Sequence, residues 1–162
     1  FICNLSEKEN LKDNKYLDLI RNNLNDHKTI IISISAEIES QIAQLENEIE
    51  KKEFLNSLGW NDSGLDRIIK SSYDKLDLIT YFTTDEKKIR AWTVKKNSTA
   101  PDASSIIHTD FKKGFICAET TSYEDYIKYG GSKGAKENGK TRQEGKEYLV
   151  KDGDIVHFMF NV

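Results

Sequence analysis

Residues 79–121 constrain the fold more than any other part of the chain. Three strand-like runs and one helix-like run follow one another there, with strands at 79–83, 87–96 and 115–121 and the helix at 99–108. Pro101, the only proline, lies in the first turn of that helix, where its missing N–H costs nothing, and Thr99 is placed to cap it. Two strands, a helix and a returning strand in so short a span predict a small mixed sheet packed on one helix.

The end of the chain extends this pattern. A short helix is predicted at 122–129, and two further strands are predicted at 148–150 and 155–160. Residues 151–154 have the sequence Lys-Asp-Gly-Asp, which is typical of a tight hairpin turn between those two strands. The order of elements predicts an α+β fold of the ubiquitin-like β-grasp type for residues 77–162.

The first half of the chain shows a different pattern, in which strands and helices alternate. An apolar start at 1–3 is followed by a helix-like run at 13–24, a strand-like run at 29–34 and one helical stripe from Ile38 to Leu58. The run at 29–34 is continuously apolar, as in parallel strands that are buried on both faces. The order predicts part of a doubly wound α/β sheet, in which ligands lie beyond the carboxyl ends of the strands.

A linker helix is predicted between the two halves, at 59–76. Asp62 or Ser63 is placed to cap its first turn. Its inner face is predicted to be apolar and to consist of Leu65, Ile68, Ile69, Tyr73 and Leu76.

Polar residues follow both predicted strands of the first half, as Asn4-Leu5-Ser6-Glu7 and as Ser35-Ala36. These two loops resemble the base-recognition loops of guanine-nucleotide GTPases, which have Asn-Lys-x-Asp after one strand and Ser-Ala-x after the next. In those proteins the Asn side-chain amide binds the purine, and the Asp carboxylate accepts two hydrogen bonds from guanine. Here Leu5 replaces the Lys and Glu7 replaces the Asp, so selection for guanine is weakened and adenine becomes an alternative base. Taken alone, an Asn after a strand is usually an ordinary turn residue. The pairing with Ser35-Ala36 after the next strand favours a nucleotide site.

Residues 134–141 match the phosphate-loop pattern G-x-x-x-x-G-K-T letter for letter. A working phosphate loop needs a buried strand before it and a helix after it, so that backbone N–H groups converge on the phosphates. The sequence predicts a short helix before this match and a polar, glycine-broken segment after it. The match is therefore interpreted as a set of turn glycines rather than as a phosphate loop.

Several stretches of the chain resemble one family, the YchF-type (Obg-like) ribosome-binding ATPases. In the second half, ITYFTTDEKKIRAWTVKKNSTAP, IHTDFKKGFICAE, SYEDYIKYGG and KDGDIVHFMFNV are similar to the TGS domain that ends those proteins, and in the first half NLSE and SAEIESQIAQL are similar to their nucleotide domain. The resemblance implies the C-terminal portion of such a protein, with the end of an OBG-type G domain at 1–58, the linker helix at 59–76 and a TGS domain at 77–162. The start at Phe1, without a methionine, fits a piece of a longer chain.

The resemblance also implies an activity for the parent protein. Such a protein is a P-loop ATPase that favours ATP over GTP, uses Mg²⁺, and binds the ribosome in the cytoplasm as a monomer without contacting a membrane. Base recognition in this chain is assigned by resemblance to Asn4, Leu5, Glu7, Ser35 and Ala36. The Walker A loop, the magnesium ligands and the catalytic region of the family are not in this sequence. No catalytic or metal-binding residue is therefore predicted, and residues 1–162 are expected not to hydrolyse nucleotide alone.

A second hypothesis concerns RNA or a ribosomal protein as the partner of the predicted TGS sheet. Lys88, Arg90 and Trp92 alternate along one strand, which predicts a face that contacts phosphates and stacks on bases. Further lysines could widen this face, namely Lys95, Lys96, Lys112 and Lys113. The alternative is that Trp92 covers the sheet and the lysines discourage strand pairing at an edge. A stand-alone TGS-type binding or regulatory module with no nucleotide role is the alternative to the ATPase.

Composition excludes few classes of protein. No apolar run approaches the roughly 20 residues of a membrane-spanning helix. Residues 1–78 carry 10 basic and 15 acidic side chains and residues 79–162 carry 14 and 12, a difference too small to indicate nucleic-acid binding by itself. Cys3 and Cys117 are expected to be buried free thiols in a reducing compartment. His108 and His157 have no serine or cysteine nucleophile at a recognisable spacing, which disfavours a stand-alone hydrolase.

Overall fold

The computed structural model describes residues 1–7, 14–24, 29–85 and 88–161. The chain divides into two compact units, Phe1–Asp74 and Lys75–Val162. Each unit has its own sheet, and each is described by itself below.

In its described residues, unit 1 contains a two-stranded parallel sheet with four helices. Strands β1 (Ile2–Asn4) and β2 (Ile32–Ile34) pair in parallel, with Asn4 opposite Ile34. The helices are α1 (Lys15–Leu24), α2 (Ala36–Gln44), α3 (Glu48–Ser57) and α4 (Gly64–Lys75). The parallel pair and the alternating helices confirm the predicted α/β character of this half. The predicted start of α1 at Asp13 lies outside the described residues.

The single helix predicted between Ile38 and Leu58 was wrong, because the structure has two helices there. Helix α2 ends at Gln44, and the backbone of the next residue, Leu45, is extended (φ −77°, ψ 125°). Asn47 then begins α3, and its side-chain oxygen accepts a hydrogen bond from the Ile49 N–H at 2.9 Å. An Asn side chain that can bond to the backbone favours a helix start over a helix interior, which accounts for the break.

Helix α4 begins where the sequence predicts, since the Ser63 hydroxyl accepts a hydrogen bond from the Asp66 N–H at 3.0 Å. Its predicted inner face was wrong in part: the exposed fractions are 58% for Leu65, 47% for Ile69 and 53% for Leu76. The buried residue of α4 is Gly64, at its first position. Within unit 1, the first turn of α4 is therefore the part that packs closely.

Unit 2 is built on a five-stranded mixed sheet. Its strands are β3 (Leu78–Thr84), β4 (Ile89–Lys95), β5 (Phe115–Thr121), β6 (Arg142–Glu144) and β7 (Ile155–Phe160). They lie in the order β4-β3-β7-β5-β6, and the β3–β7 pair is parallel while the other pairs are antiparallel. The described part of unit 2 also has four helices: α5 (Ala100–Ile107), α6 (Thr109–Lys113), α7 (Tyr123–Lys128) and α8 (Ser132–Glu137).

Two predictions for the end of unit 2 were wrong. The predicted strand at 148–150 makes only an isolated bridge, between Leu149 and Thr99. The edge position belongs instead to β6, whose polar residues were not predicted to form a strand. Consequently the turn at 151–154 does not join a hairpin, because β7 pairs with β3 and β5. Helices α6 and α8 were also not predicted, and Lys87, the predicted first residue of the second strand, lies outside the described residues.

The core of unit 2 lies between the sheet and α5. Tyr81 is fully buried there, its ring meets Phe158 edge to face at 5.9 Å, and its hydroxyl donates a hydrogen bond to the Ala103 carbonyl at 2.8 Å. Burial raises the pKa of the Tyr81 hydroxyl. The predicted cap of α5 is confirmed, since the Thr99 hydroxyl accepts a hydrogen bond from the Asp102 N–H. Because α5 starts at a fixed point, its small residues Ala100 and Ala103 face the sheet.

Across residues 1–7, 14–24, 29–85 and 88–161, the structure has no helix with the length and apolar content needed to cross a membrane.

Candidate functional site

The structure brings together the two loops that were predicted to recognise a base. Asn4 is the last residue of β1, and Ala36 is the first residue of α2 directly after β2. The Asn4 Oδ1 atom accepts a hydrogen bond from the Ala36 N–H at 2.9 Å. The two loops therefore meet at the carboxyl ends of adjacent parallel strands, which is where α/β sheets bind ligands. We call Asn4, Leu5, Ser35 and Ala36 the strand-end junction.

The hydrogen bond between Asn4 and Ala36 determines which way the side-chain amide of Asn4 is oriented. Its oxygen is occupied by a backbone donor at the N-terminus of α2, so its NH₂ group faces away from that bond with two N–H donors. Both Asn4 and Ala36 are exposed. The Ala36 N–H is already used by Asn4, so this backbone donor contacts the side chain of Asn4 rather than solvent.

Ser35 differs from its neighbours in being fully buried. Ser35 occupies the N-cap position of α2, but its side chain makes no capping hydrogen bond, and its hydroxyl has no hydrogen-bond partner within the described part of the chain. A buried hydroxyl without a partner costs about 1–3 kcal/mol. Native structures contain few such groups, so the buried Ser35 hydroxyl needs an explanation other than packing.

Leu5 and Glu7 complete the first loop. The Leu5 N–H donates to the Ile34 carbonyl at 2.8 Å, which continues the parallel pairing one step beyond β1. Glu7 is exposed and lies in a turn at the end of this described segment. The structure thus places Leu5 against β2 and leaves the carboxylate of Glu7 in solvent.

Two residues that were not predicted as site residues, Glu39 and Arg67, make long-range contacts next to the strand-end junction. The Glu39 carboxylate accepts hydrogen bonds from the first N–H groups of α4, at 2.7 Å from Gly64 and 3.1 Å from Leu65. The Arg67 guanidinium donates to the Ser33 carbonyl of β2 at 2.9 Å. These contacts join residues 25 to 34 positions apart, and no local sequence pattern indicates them.

The strand predicted to contact RNA is β4, which lies at one edge of the sheet in unit 2. Side chains alternate between the faces of a strand, so Arg90 and Trp92 share a face with the buried Val94. Trp92 packs against the core and donates its indole N–H to the Thr83 hydroxyl at 2.9 Å. This geometry favours the alternative in which Trp92 covers the sheet. Lys88 and Arg90 are exposed beside it.

The other lysines of the predicted face do not form one surface with Arg90. Lys95 is odd-numbered on β4 and lies on the opposite face, with its ammonium group donating to the Leu76 carbonyl at 2.7 Å. Lys112 pairs with Asp102 at 2.7 Å and Lys113 pairs with Asp110 at 3.6 Å. The Lys112 ammonium, followed by the Thr99 hydroxyl, lowers the pKa of the Asp102 carboxyl. Within the described ranges, Lys88, Arg90 and Lys96 have no ion-pair partner.

The phosphate-loop match at 134–141 has the wrong surroundings, as predicted. Residues 134–137 of the match lie in helix α8, helix α7 comes before the match, and strand β6 begins directly after it at Arg142. Gly134 packs against the backbone of Tyr129, where a Cβ atom would collide with the carbonyl oxygen. Gly139 has a φ of +67°, a conformation that favours glycine. Both glycines therefore have structural reasons.

His108 and Cys117 have structural contacts. The His108 ring accepts a hydrogen bond from the Asp110 N–H at 3.2 Å and caps α6. Cys3 and Cys117 are free thiols, but only Cys117 is buried; the prediction that Cys3 is buried was wrong, because it is partly exposed. The Cys117 thiol donates to the Met159 sulfur at 3.5 Å. In the part of the chain that is described, no three His, Cys, Asp or Glu side chains are grouped to hold a metal ion.

Comparison with known proteins connects these features. The parallel strand-end junction and the separate mixed sheet define the chain as a two-unit α/β protein. The YchF-GTPase_C family, described as "Protein of unknown function (DUF933)", matches residues 78–161. The chain belongs to the YchF family.

The relatives and solved structures agree with this assignment. The chain is 49% identical over 162 residues to the "Ribosome-binding ATPase YchF" of Haemophilus influenzae and 51% identical over 164 residues to that of Bacillus subtilis. It covers 44% of each relative and matches the C-terminal part. The Schizosaccharomyces pombe YchF GTPase structure superposes with a TM-score of 0.81 at 35% identity, covering 98% of this chain and 42% of that chain. A GTP-binding protein from Pyrococcus horikoshii, at 19% identity and a TM-score of 0.60, shares the fold.

Proposed function

We propose that this chain is the C-terminal portion of a ribosome-binding P-loop ATPase that favours ATP over GTP. Unit 1 supplies the purine-recognition loops, and unit 2 is a TGS domain that docks on the ribosome. The observation that carries the proposal is the 2.9 Å bond between Asn4 Oδ1 and the Ala36 N–H, which joins the two predicted loops. The names of the relatives, ribosome-binding ATPases, support it.

The strand-end junction can select a purine through donors. With its oxygen held by Ala36, the Asn4 amide presents its NH₂ group, which can donate to a ring nitrogen of a purine. Guanine selection in related sites uses a carboxylate that accepts two N–H bonds, and Glu7 is one methylene longer than the Asp of those sites. A shifted acceptor lowers the advantage of guanine, and the amine of adenine is then tolerated.

Phosphate binding and hydrolysis are assigned to the parent protein and not to this chain. A P-loop and Mg²⁺ would supply charge stabilisation for the transferred phosphoryl group when bound. The described residues of this chain contribute base recognition and position, and the match at 134–141 has no part in the proposal. The protein is proposed to act in the cytoplasm as a monomer.

The nucleotide role is tested by titrating this chain and the full-length protein with ATP and GTP. We expect the full-length protein to bind ATP more tightly than GTP by isothermal titration calorimetry. We expect no measurable binding or hydrolysis with residues 1–162 alone, because the base contributes only part of the affinity and the phosphate contacts lie elsewhere. Tight binding by the isolated chain would contradict the division of roles.

The sheet order of unit 2 supports the TGS assignment. Strands β3 and β4 form a hairpin, α5 crosses the sheet, and β7 returns to lie parallel to β3 in the centre. This order is the one expected of a β-grasp fold. The exposed cations Lys88 and Arg90, together with Lys96, give the β4 edge a positive charge that suits a phosphate backbone. A stand-alone binding module, the second candidate, would use the same edge.

Docking through the β4 edge is tested with the double substitution Lys88→Ala and Arg90→Ala in the full-length protein. We expect weaker ribosome binding and a shallower dependence of log K on log salt, because each lost phosphate contact removes released counterions. Co-sedimentation across a salt series measures both. The matched control is Lys146→Ala with Lys151→Ala, which removes the same charge from exposed positions elsewhere in unit 2. An equal loss in both double variants would mean that only total charge matters.

A further inference from the structure

Glu39 makes an unusual contact for a side chain on the first turns of α2. Its two carboxylate oxygens each accept one N–H from the start of α4, at 2.7 Å from Gly64 and 3.1 Å from Leu65. The first N–H groups of a helix have no partner within the helix, and negative charge is favoured at that end. Helix α4 is therefore capped by a residue from another helix, 25 positions earlier.

The start of α4 is held close to the strand-end junction by this cap. A Cβ atom on Gly64 would lie 2.6 Å from Glu39 Oε1 and 2.7 Å from Ile34 Cγ2, so only glycine allows the approach. Ile34 is the residue before Ser35, and Glu39 lies one helical turn after it. The hydrogen bond from Gly64 to Glu39 and the close approach of Gly64 to Ile34 thus involve residues on both sides of Ser35 in the sequence.

A second contact on the same helix acts in the same direction. The Arg67 guanidinium donates to the Ser33 carbonyl at 2.9 Å and lies over the Trp60 ring, 5.8 Å from its centre. The first turn of α4 therefore contacts β2 through Arg67 and α2 through Glu39. Arg67 contacts Ser33, two residues before Ser35, and Glu39 lies one helical turn after Ser35. Neither Glu39 nor Arg67 is itself a residue of the strand-end junction.

We infer that Glu39 is a positioning residue for purine recognition. By capping α4, Glu39 fixes the position of the first turn of α2, so that the Ala36 N–H bonds to Asn4 Oδ1. This bond in turn orients the Asn4 NH₂ group toward the base. The inference rests on the proposed function for its nucleotide readout. Its structural readout, the protection of the Ala36 N–H, does not depend on that function.

The test compares Glu39→Ala and Glu39→Gln with the matched control Glu37→Gln in the full-length protein. Glu37 lies on the same turn of α2, is exposed, and undergoes the same change of charge. We expect Glu39→Ala to raise the KM for ATP about tenfold with kcat within about twofold, since the change affects binding of the base and not the phosphates. Glu39→Gln keeps one oxygen acceptor and should fall between the wild type and Glu39→Ala.

Hydrogen–deuterium exchange gives the readout that separates positioning from simple capping. We expect faster exchange at the Gly64 and Leu65 amides and also at the Ala36 amide in Glu39→Ala, and unchanged exchange in Glu37→Gln. If exchange rises at Gly64 and Leu65 while the Ala36 amide and the KM stay unchanged, Glu39 only caps α4 and the inference is overturned.

A failure of the proposed function would look different. If Asn4 variants leave nucleotide affinity unchanged, the junction does not bind a base. The purine part of the inference then fails together with the proposed function. The Ala36 exchange rate decides whether Glu39 still positions the junction: faster exchange supports that positioning, and unchanged exchange overturns it. If Glu39→Ala does not fold, Glu39→Gln supplies both measurements with the shape of the side chain preserved.

Discussion

Replacing Asn4 with Asp is expected to weaken ATP binding by the full-length protein about 30- to 150-fold, which corresponds to about 2–3 kcal/mol. The substitution keeps the oxygen that accepts the Ala36 N–H, so the strand-end junction stays closed. It removes the NH₂ donor and places a negative charge opposite the lone pair of a purine nitrogen. The loss should therefore appear in nucleotide affinity, measured by calorimetry, and not in the melting temperature.

The control for this change is Asn47→Asp, which makes the same substitution at the start of α3. The Asn47 side chain also accepts a backbone N–H, from Ile49 at 2.9 Å, and Asp preserves that acceptor at a helix start. We expect wild-type affinity and stability for this variant. Unchanged ATP affinity in Asn4→Asp would contradict the donor role of Asn4 and with it the proposed base site.

Much of the strand-end junction was predictable because the relevant physics is local. Asn4 and Ser35 each follow an apolar strand-like run, and parallel strands bring their carboxyl ends to one edge, so the meeting of the two loops follows from the pattern. The direction of the Asn4 amide does not follow from the pattern. It is fixed by a bond to a residue 32 positions later.

The contacts behind the strand-end junction could not be predicted for the same reason. The Glu39 cap on Gly64 depends on two helices that are separated by α3, and a lone Glu on α2 looks like an ordinary solvent-facing charge. The interpretation of Trp92 had a similar limit. Alternation correctly placed Arg90 and Trp92 on one face, but which face holds the core is decided by Val94 and by the packing of α5.

The mixed sheet shows where local propensity fails. Residues 142–144 are polar and still form strand β6, because β5 offers an unpaired edge to Glu144, Gln143 and Arg142 in turn. Tyr148 and Leu149 have strand-like side chains, but the segment forms an isolated bridge, between Leu149 and Thr99, and not a strand. Edge pairing in this sheet therefore follows from tertiary position rather than from the hydrophobicity of the segment.

Replacing Gly134 with Ala is expected to destabilise unit 2 by about 2–3 kcal/mol, because the new Cβ atom would collide with the Tyr129 carbonyl oxygen and separate α7 from α8. For a unit of this size the melting temperature should fall by about 10 °C or more, which calorimetry or circular dichroism measures. Gly145→Ala is the matched control, since a Cβ atom there meets nothing within 4 Å, and it should melt like the wild type.

Because 134–141 is a helix followed by a turn, Lys140→Ala should leave ATP affinity unchanged. A Gly134→Ala variant that keeps its melting temperature but loses ATP binding would instead identify this segment as a phosphate loop.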